Sequence, residues 1–95
     1  MVYAAIIKYT PDKAKIQATR PRHREYLMGK KAEGKVALSG PLGDDSGGII
    51  VYATGSVEEA DAIIRADPFA QDGIFLSWEI KPWNLILCNK DLMPA

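Results

Sequence analysis

The order of the apolar segments is the feature that most constrains the fold of this chain. Four short apolar segments and two segments of helical character alternate as strand, helix, strand, strand, helix, strand. This order is that of the ferredoxin-like arrangement, an α+β fold in which both helices cover one face of an antiparallel sheet. We therefore expect a βαββαβ fold, and 95 residues allow one domain over residues 1–95.

The strands are predicted from apolar runs bounded by turn residues. The predicted strands are Val2–Ile7, Val36–Ser39, Ile49–Ala53 and Ile74–Ile80, followed by Trp83–Leu87 after an interruption at Pro82. The first strand is expected to be buried on both faces, since it is a nearly continuous apolar run. Cys88 is expected to be a small buried hydrophobe in the last apolar segment.

Capping residues predict the ends of both helices. Thr19 is predicted to cap a first helix that has a proline in its first turn and ends near Glu33, before a glycine. Ser56 and Glu59 form a capping box at the start of the second helix. Asp67 ends this helix because it precedes proline. The apolar stripe of the second helix comprises Val57, Ala60, Ile63 and Ile64.

Apolar residues on both sides of the strands predict a second copy of the chain. In the first strand Tyr3, Ala5 and Ile7 alternate with Val2, Ala4 and Ile6. A chain of this length has no second layer of helices, so the uncovered sheet face is a large apolar patch, and such patches usually mark an interface. We expect a homodimer joined through this face, with the extension after Pro82 as an arm toward the partner.

Charge and cysteine content exclude several classes of protein. Twelve basic and twelve acidic residues cancel, which argues against nucleic acid or an anionic membrane as a partner. RNA-recognition domains share the strand–helix order, but residues 48–52 lack the basic and aromatic run that they need. One cysteine and one histidine exclude an internal disulfide and every Cys/His zinc spacing. With no signal segment and no membrane-spanning run, the expected location is cytoplasmic.

Connectivity predicts that polar residues meet at one end of the sheet. The first strand finishes at one end of the sheet, and the first helix begins there. The second helix and the second strand also finish at this end. His23 is placed near a helix start, whose dipole favours a neutral imidazole, and Ser39 at a strand end. Asp67, on the stripe of the second helix and near its negative end, needs a partner, and His23 is the only imidazole. Taken singly, His23 is interpreted as a core histidine and Asp67 as a turn residue. Taken together, their expected proximity favours an acid–base pair.

Positive charge is concentrated in the first third of the chain. Residues 1–35 hold nine Lys and Arg against three Asp and Glu, a net charge of +6, and residues 36–95 carry −6. These charges are either solvated helix faces or a potential that attracts an anionic substrate. Arg20, Arg22 and Arg24 crowd the predicted helix start. Arg20, three residues before His23, is the one expected to face the pocket and favour an anionic or phenolic ligand.

Four motifs together resemble a known family. They are Arg20-x-x-His23-x-x-Tyr26-Leu27, Gly34-x-Val36-x-x-Ser39-Gly40-Pro41-Leu42, Gly47-Gly48 and Asp67-Pro68-Phe69. In this order and spacing they resemble the YCII-related (YciI-like) proteins over nearly the whole chain. The resemblance implies a dimeric α+β barrel, related in architecture to muconolactone isomerases.

The resemblance also implies an activity and a set of site residues. One activity in the family is a dehydrochlorinase, so we expect a small lyase that eliminates HCl from a chlorinated hydroxyhydroquinone in the degradation of aromatic compounds. It implies catalytic residues His23, Asp67 and Ser39, substrate-binding residues Arg20, Gly40, Pro41 and Phe69, and neither metal nor cofactor. The alternatives are a muconolactone-type isomerase and a non-catalytic dimeric module that binds ligands or is associated with stress.

Overall fold

A computed structural model describes residues 1–94 of the chain. Its elements are β1 (Val2–Tyr9), α1 (Lys13–Ala32), β2 (Val36–Pro41), β3 (Gly47–Ala53), α2 (Val57–Arg65), α3 (Pro68–Gln71) and β4 (Phe75–Trp83), with a short 3-10 helix at Lys90–Leu92. The four strands form one sheet in the order β2-β3-β1-β4, and all neighbouring strands are antiparallel. The predicted ferredoxin-like α+β fold is confirmed, with α3 as an added turn of helix.

One face of the sheet packs against the helices. Alternate residues of β1, from Tyr3 to Tyr9, are buried in a core that also contains Ile16 of α1 and Ile64 of α2. The other face leaves the side chains of Ile6 and Ile49 49% and 41% exposed. Within the single chain β1 is therefore buried on one face and not, as expected, on both. This is the pattern of an antiparallel sheet with one open side.

The first helix begins at Lys13, well before the predicted start at Thr19. Asp12 is its N-cap, and Oδ1 of Asp12 accepts a hydrogen bond from the backbone N–H of Lys15 at 3.1 Å. The prediction was wrong because Ile16 is the only large apolar residue between Lys13 and Thr19, too weak a pattern to indicate a helix.

The earlier start changes the position of two residues that matter for the site. Pro21 lies inside α1, and His23 lies in the middle of the helix and not near its N-terminus. The helix tolerates Pro21 although one backbone hydrogen bond is lost there. Its buried residues are Ile16, Thr19, His23 and Leu27, which share the face toward the sheet. The dipole of α1 therefore supplies no field that favours a neutral His23, contrary to expectation.

The predicted end of α1 and the predicted start of α2 are confirmed. Gly34 follows α1 with φ of +77°, a conformation that glycine adopts without strain. The hydroxyl of Ser56 accepts a hydrogen bond from the N–H of Glu59 at 3.2 Å, one half of a capping box. The carboxylate of Glu59 accepts from the N–H of Gly55 at 3.1 Å, one residue before the usual partner. Val57, expected in the apolar stripe of α2, is instead 38% exposed and lies outside the core that contains Ala60, Ile63 and Ile64.

The last strand continues through Pro82 to Trp83, where an interruption had been predicted. β4 is an edge strand that pairs only with β1, so the missing N–H of proline leaves no partner unsatisfied. Trp83 pairs with Val2, the first residue of β1, and beyond it there is no strand to pair with. The predicted strand Trp83–Leu87 is therefore wrong, residues 84–89 have no regular structure, and Cys88 is exposed rather than buried.

Candidate functional site

The only histidine of the chain contacts a buried carboxylate. Nδ1 of His23 lies 2.7 Å from Oδ1 of Asp67, and the side chain of Asp67 is fully buried. The face of α1 that carries His23 is turned toward the link between α2 and α3, which carries Asp67. A carboxylate at Nδ1 fixes the tautomer of the imidazole and leaves Nε2 as the nitrogen free for a ligand.

Asp67 is held by a helix start and not, as expected, by the stripe of α2. It is the N-cap of α3, and its Oδ1 also accepts a hydrogen bond from the N–H of Phe69 at 2.9 Å. The prediction placed this carboxylate at the negative end of α2, where it is disfavoured. In the structure α2 ends at Arg65, so Asp67 instead begins a new turn, a position that aspartate favours.

An aromatic cluster fixes the plane of the imidazole. The ring of Phe69 is stacked on that of His23, with their centroids 3.8 Å apart and an angle of 2° between the planes. Phe75 makes edge contacts with both rings, with its centroid 5.9 Å from that of His23 and 5.7 Å from that of Phe69. His23 is therefore oriented by a carboxylate at its edge and a ring on its face, which leaves it little freedom to rotate.

His23 opens into a cavity of about 520 Å³ between α1 and the β2 side of the sheet. This volume lies in the ~300–1,000 Å³ range of small-molecule sites. Most of the wall is apolar: Leu27, Met28, Val36, Ala37, Leu38, Ile50, Phe69, Met93 and Pro94. A cavity of this kind suits a ligand that presents an apolar ring to the wall and polar groups to His23.

The predicted residues from the end of β2 also line the cavity. Ser39, Gly40 and Pro41 all contribute to its wall. Ser39 is opposite Ile50 of β3, which lines the same cavity. Ser39 forms no hydrogen bond with His23 or Asp67 among the described residues, so the structure brings it to the cavity but not into the contact between the two.

The arginines of α1 are divided between the cavity and the outside. Arg20 and Arg24 line the cavity, whereas Arg22 is ion-paired with Asp72 on the outer surface. The guanidinium of Arg20 is bound at 2.7 Å to the carboxylate of Asp45, in the turn between β2 and β3. Part of the positive charge expected at the pocket is therefore already neutralised.

Tyr9 is a cavity residue that the prediction missed. It lies on the buried face of β1 and lines the cavity together with His23. Burial raises the pKa of its hydroxyl to about 12, so Tyr9 is a neutral hydrogen-bond donor at physiological pH. Its hydroxyl also lies where a side chain on Gly48 would be, because a Cβ there would come within 2.5 Å of it. The alternation of Tyr3, Ala5 and Ile7, extended by one more step along the strand, predicts that Tyr9 lies on the same face.

Residues 1–94 contain neither a cluster of metal ligands nor a helix that could span a membrane. No group of three or more His, Cys, Asp and Glu side chains in this part of the chain is arranged to hold a metal ion. Asp44 and Asp45 are turn residues, and Oδ1 of Asp44 accepts a hydrogen bond from the N–H of Ser46 at 3.0 Å. None of the helices in the same residues is both long and apolar enough to cross a membrane.

Comparison with known proteins defines the class of this protein. The model of the YCII-related domain matches residues 1–84. The chain therefore belongs to the YCII-related domain family, as its motifs predicted. It is also similar to the uncharacterized protein YjpA of Bacillus subtilis (strain 168), with 38% identity over 63 residues, 66% of this chain and 73% of YjpA.

The fold is shared with a solved structure. The chain is similar to the 5-chloro-2-hydroxyhydroquinone dehydrochlorinase TftG from Burkholderia phenoliruptrix AC1100, in its complex with 2,5-dihydroxybenzoquinone. The TM-score is 0.77 over 88% of this chain and 94% of TftG, with 23% sequence identity. At this identity the likeness establishes the ferredoxin-like α+β fold.

Proposed function

We propose that this protein is a cofactor-independent lyase that eliminates HCl from a chlorinated hydroxyhydroquinone. The observation that carries the proposal is the contact of 2.7 Å between Nδ1 of His23 and Oδ1 of Asp67, beside a cavity that His23 itself lines. An imidazole supported in this way is suited to take up and return one proton at Nε2. The largely apolar wall is consistent with an aromatic ring as substrate.

The structural neighbour supports the choice of substrate class. TftG has the same fold, is a dehydrochlorinase of a chlorinated hydroxyhydroquinone and binds 2,5-dihydroxybenzoquinone. The family match assigns residues 1–84 of this protein to the YCII-related domain family. We extend the activity of TftG to this chain as a proposal because the residues lining the cavity here suit a ligand of that size and polarity.

The first step removes a phenolic proton. Nε2 of His23 takes the proton from a ring hydroxyl, while Asp67 at Nδ1 stabilises the imidazolium that forms. The ring oxygen becomes a carbonyl, and its electron pair moves through the ring to the carbon that bears chlorine. Ser39, Arg20 and Tyr9 line the same cavity, and we assign to their polar groups the stabilisation of the oxyanion.

The second step returns the proton and releases chloride. The imidazolium protonates the chlorine-bearing carbon, which becomes tetrahedral. The neutral imidazole then takes the proton of a second ring hydroxyl as the C–Cl bond breaks and chloride leaves with the bonding electron pair. The products are a hydroxybenzoquinone and HCl, so the ring is oxidised and the C–Cl bond is replaced by C–H. One imidazole serves all three proton transfers and finally releases its proton to solvent, and no external oxidant enters the balance.

The proposal is tested by measuring chloride release and quinone absorbance with 5-chloro-2-hydroxyhydroquinone as substrate. General acid–base catalysis contributes ~10²–10⁴-fold, so His23→Ala should lose about that factor in kcat while the protein stays folded. Arg22→Ala is the matched control, since Arg22 lies on the same helix but faces outward. Wild-type turnover by a folded His23→Ala variant refutes the mechanism.

A muconolactone-type isomerase is the second candidate, because a single supported imidazole also suits a proton shift within one molecule. The two activities are separated by the products. Incorporation of solvent deuterium into the ligand without release of chloride identifies an isomerase. If a ligand binds but neither reaction follows, and if His23→Ala leaves the binding unchanged, the protein is a non-catalytic binding module.

A further inference from the structure

Two polar atoms in the core lack a hydrogen-bond partner. Among the described residues, the buried side-chain atoms without a partner are the hydroxyl of Tyr52 and Oδ2 of Asp67, and both residues are fully buried. Buried polar groups are almost always hydrogen-bonded, so each of these atoms needs an explanation. The two are chemically complementary, because a phenol donates a hydrogen bond and an ionised carboxylate only accepts.

Asp67 contacts His23, which lines the cavity, and Tyr52 shares a face of β3 with another lining residue. The other oxygen of Asp67 is occupied by His23 and by the N–H of Phe69. Tyr52 lies on the helix-facing side of β3, two residues from Ile50, which lines the cavity. Residues two apart in a strand are separated by roughly 6.5–7 Å and share a face. The charge of Asp67 acts on Tyr52, since it raises the pKa of the Tyr52 hydroxyl further after burial has raised it.

The hydroxyl of a second tyrosine, Tyr26, already has a hydrogen-bond partner. The hydroxyl of Tyr26 donates to the carbonyl of Ile63 at 2.7 Å. Tyr52 therefore remains as the buried side-chain donor without a partner in the described part of the chain. Tyr52 and Asp67 form no direct hydrogen bond, so a link between them requires an additional small polar group.

We propose that Tyr52 is a positioning residue of the His23–Asp67 pair, and that its hydroxyl holds Oδ2 of Asp67 through one buried water molecule. The water accepts from the phenol and donates to the carboxylate, which satisfies both atoms. Held at both oxygens, the carboxylate cannot rotate away from Nδ1 of His23. The proposal rests on the proposed function only for the chemical role of the pair, and the hydrogen-bond chain itself is tested without substrate.

The first test is an NMR titration of His23, which is unambiguous because the chain has no other histidine. Tyr52→Phe removes the second donor from Asp67, so the negative charge is concentrated on the oxygen that faces His23 and stabilises the imidazolium more. The titration midpoint of His23 should rise by roughly 0.5–1 pH unit, the equivalent of one ordinary hydrogen bond. The other ionisable groups around the cavity, unchanged by this substitution, are Tyr9, Arg20, Arg24 and Lys31.

Tyr3→Phe is the matched control. Tyr3 is the cross-strand neighbour of Tyr52 on the same buried side of the sheet, so the same hydroxyl is removed one strand away. The midpoint of His23 should equal that of the wild type in this variant. An unchanged midpoint in folded Tyr52→Phe, or an equal shift in both variants, overturns the proposal.

A crystal structure of the wild-type protein at high resolution is the second test, and it does not depend on the folding of a variant. An ordered water within hydrogen-bond distance of both the Tyr52 hydroxyl and Oδ2 of Asp67 is the expected result. A hydroxyl of Tyr52 bonded to any other group overturns the proposal. Because neither test involves turnover, a failure here is distinct from a failure of the proposed lyase activity.

Discussion

The ring of Phe69 lies parallel to the imidazole of His23, with the centroids 3.8 Å apart. The same residue donates its backbone N–H to Oδ1 of Asp67, the atom that contacts His23. The segment Asp67–Phe69 therefore contacts the imidazole at both its edge and its face, and these contacts fix the orientation of the ring. Two variants separate these contributions.

Phe69→Leu keeps an apolar side chain but removes the stacked ring. We expect a loss of roughly 1–1.5 kcal/mol in the free energy of unfolding, typical of a swap between large apolar residues, and a larger relative loss of kcat. Urea unfolding and chloride release measure the two effects. Phe75→Leu is the control, because Phe75 touches His23 only through an edge contact. Equal losses of kcat in both variants contradict a role for the stack.

Asp67→Asn separates the helix cap from the charge. Asparagine caps helices as well as aspartate, so stability should change little, whereas the rate should fall ~10²–10⁴-fold as the imidazolium loses its counter-charge. Asp67→Ala removes the cap as well and should cost about 1 kcal/mol more in the free energy of unfolding. The comparison requires kcat and denaturant unfolding of both variants. Equal stability of the two variants shows that the cap contributes nothing.

The ion pair between Arg20 and Asp45 should limit the affinity for anionic ligands. Asp45 has φ of +62°, which asparagine tolerates, so Asp45→Asn frees the guanidinium without disturbing the turn. We expect roughly two- to fivefold tighter binding of a phenolate, the scale of a partly exposed ion pair. Arg20→Ala should weaken binding and flatten its salt dependence, while Arg22→Ala should do neither. A salt-independent affinity of the wild type indicates a neutral ligand.

The open face of the sheet predicts a homodimer. Ile6 and Ile49 are opposite each other on this face and both are largely exposed in the single chain. Light scattering should give a dimer at micromolar concentration, and Ile49→Lys should shift it toward the monomer. Val57→Lys, a similar change at an exposed position of α2, should leave the dimer intact. A stable wild-type monomer of 10.4 kDa contradicts the prediction.

Alkaline pH should destabilise the protein through its buried tyrosines. Burial raises the pKa of Tyr9 to about 12 from an ordinary value of 10.0, and it raises that of Tyr52 as well. A raised pKa in the folded state means that the contribution to stability is present below pH 10 and is lost as the pH rises toward 12. The free energy of unfolding should fall across this window, and Tyr9→Phe should make the fall shallower. An identical pH dependence in Tyr9→Phe contradicts this explanation.

The parts of the fold that were predicted correctly have strong local signals. The capping box at Ser56 and the glycine at position 34 each fix a helix end through the residues that form it. The start of α1 was missed because its first turns have little apolar pattern. The continuation of β4 through Pro82 depends on its position at the sheet edge, which is a property of the whole sheet.

The site was predicted only as far as connectivity determines it. The strand and helix order brings His23 and Asp67 to the same end of the sheet, and the structure places them in contact. The short helix after Asp67 has a sequence signal that was not used, since aspartate caps helices and proline is favoured at the first helical position. The stacking of Phe69 on His23 depends on side-chain packing that no pattern in the sequence indicates. Met93 reaches the cavity from a segment far along the chain, so local patterns could not place it there. The catalytic roles of these residues stay predictions.

The supports of His23 and the wall of the cavity come from different parts of the chain. Asp67 and Phe69, which orient the imidazole, belong to the α2–α3 connection, whereas most of the wall comes from α1, β2 and Met93. Substitutions at a wall position such as Leu38 can therefore reshape the space for the ligand without altering the proton-transfer group. An engineer who wants a new substrate can vary apolar wall positions such as Leu38 and Met93 and leave the proton-transfer group in place.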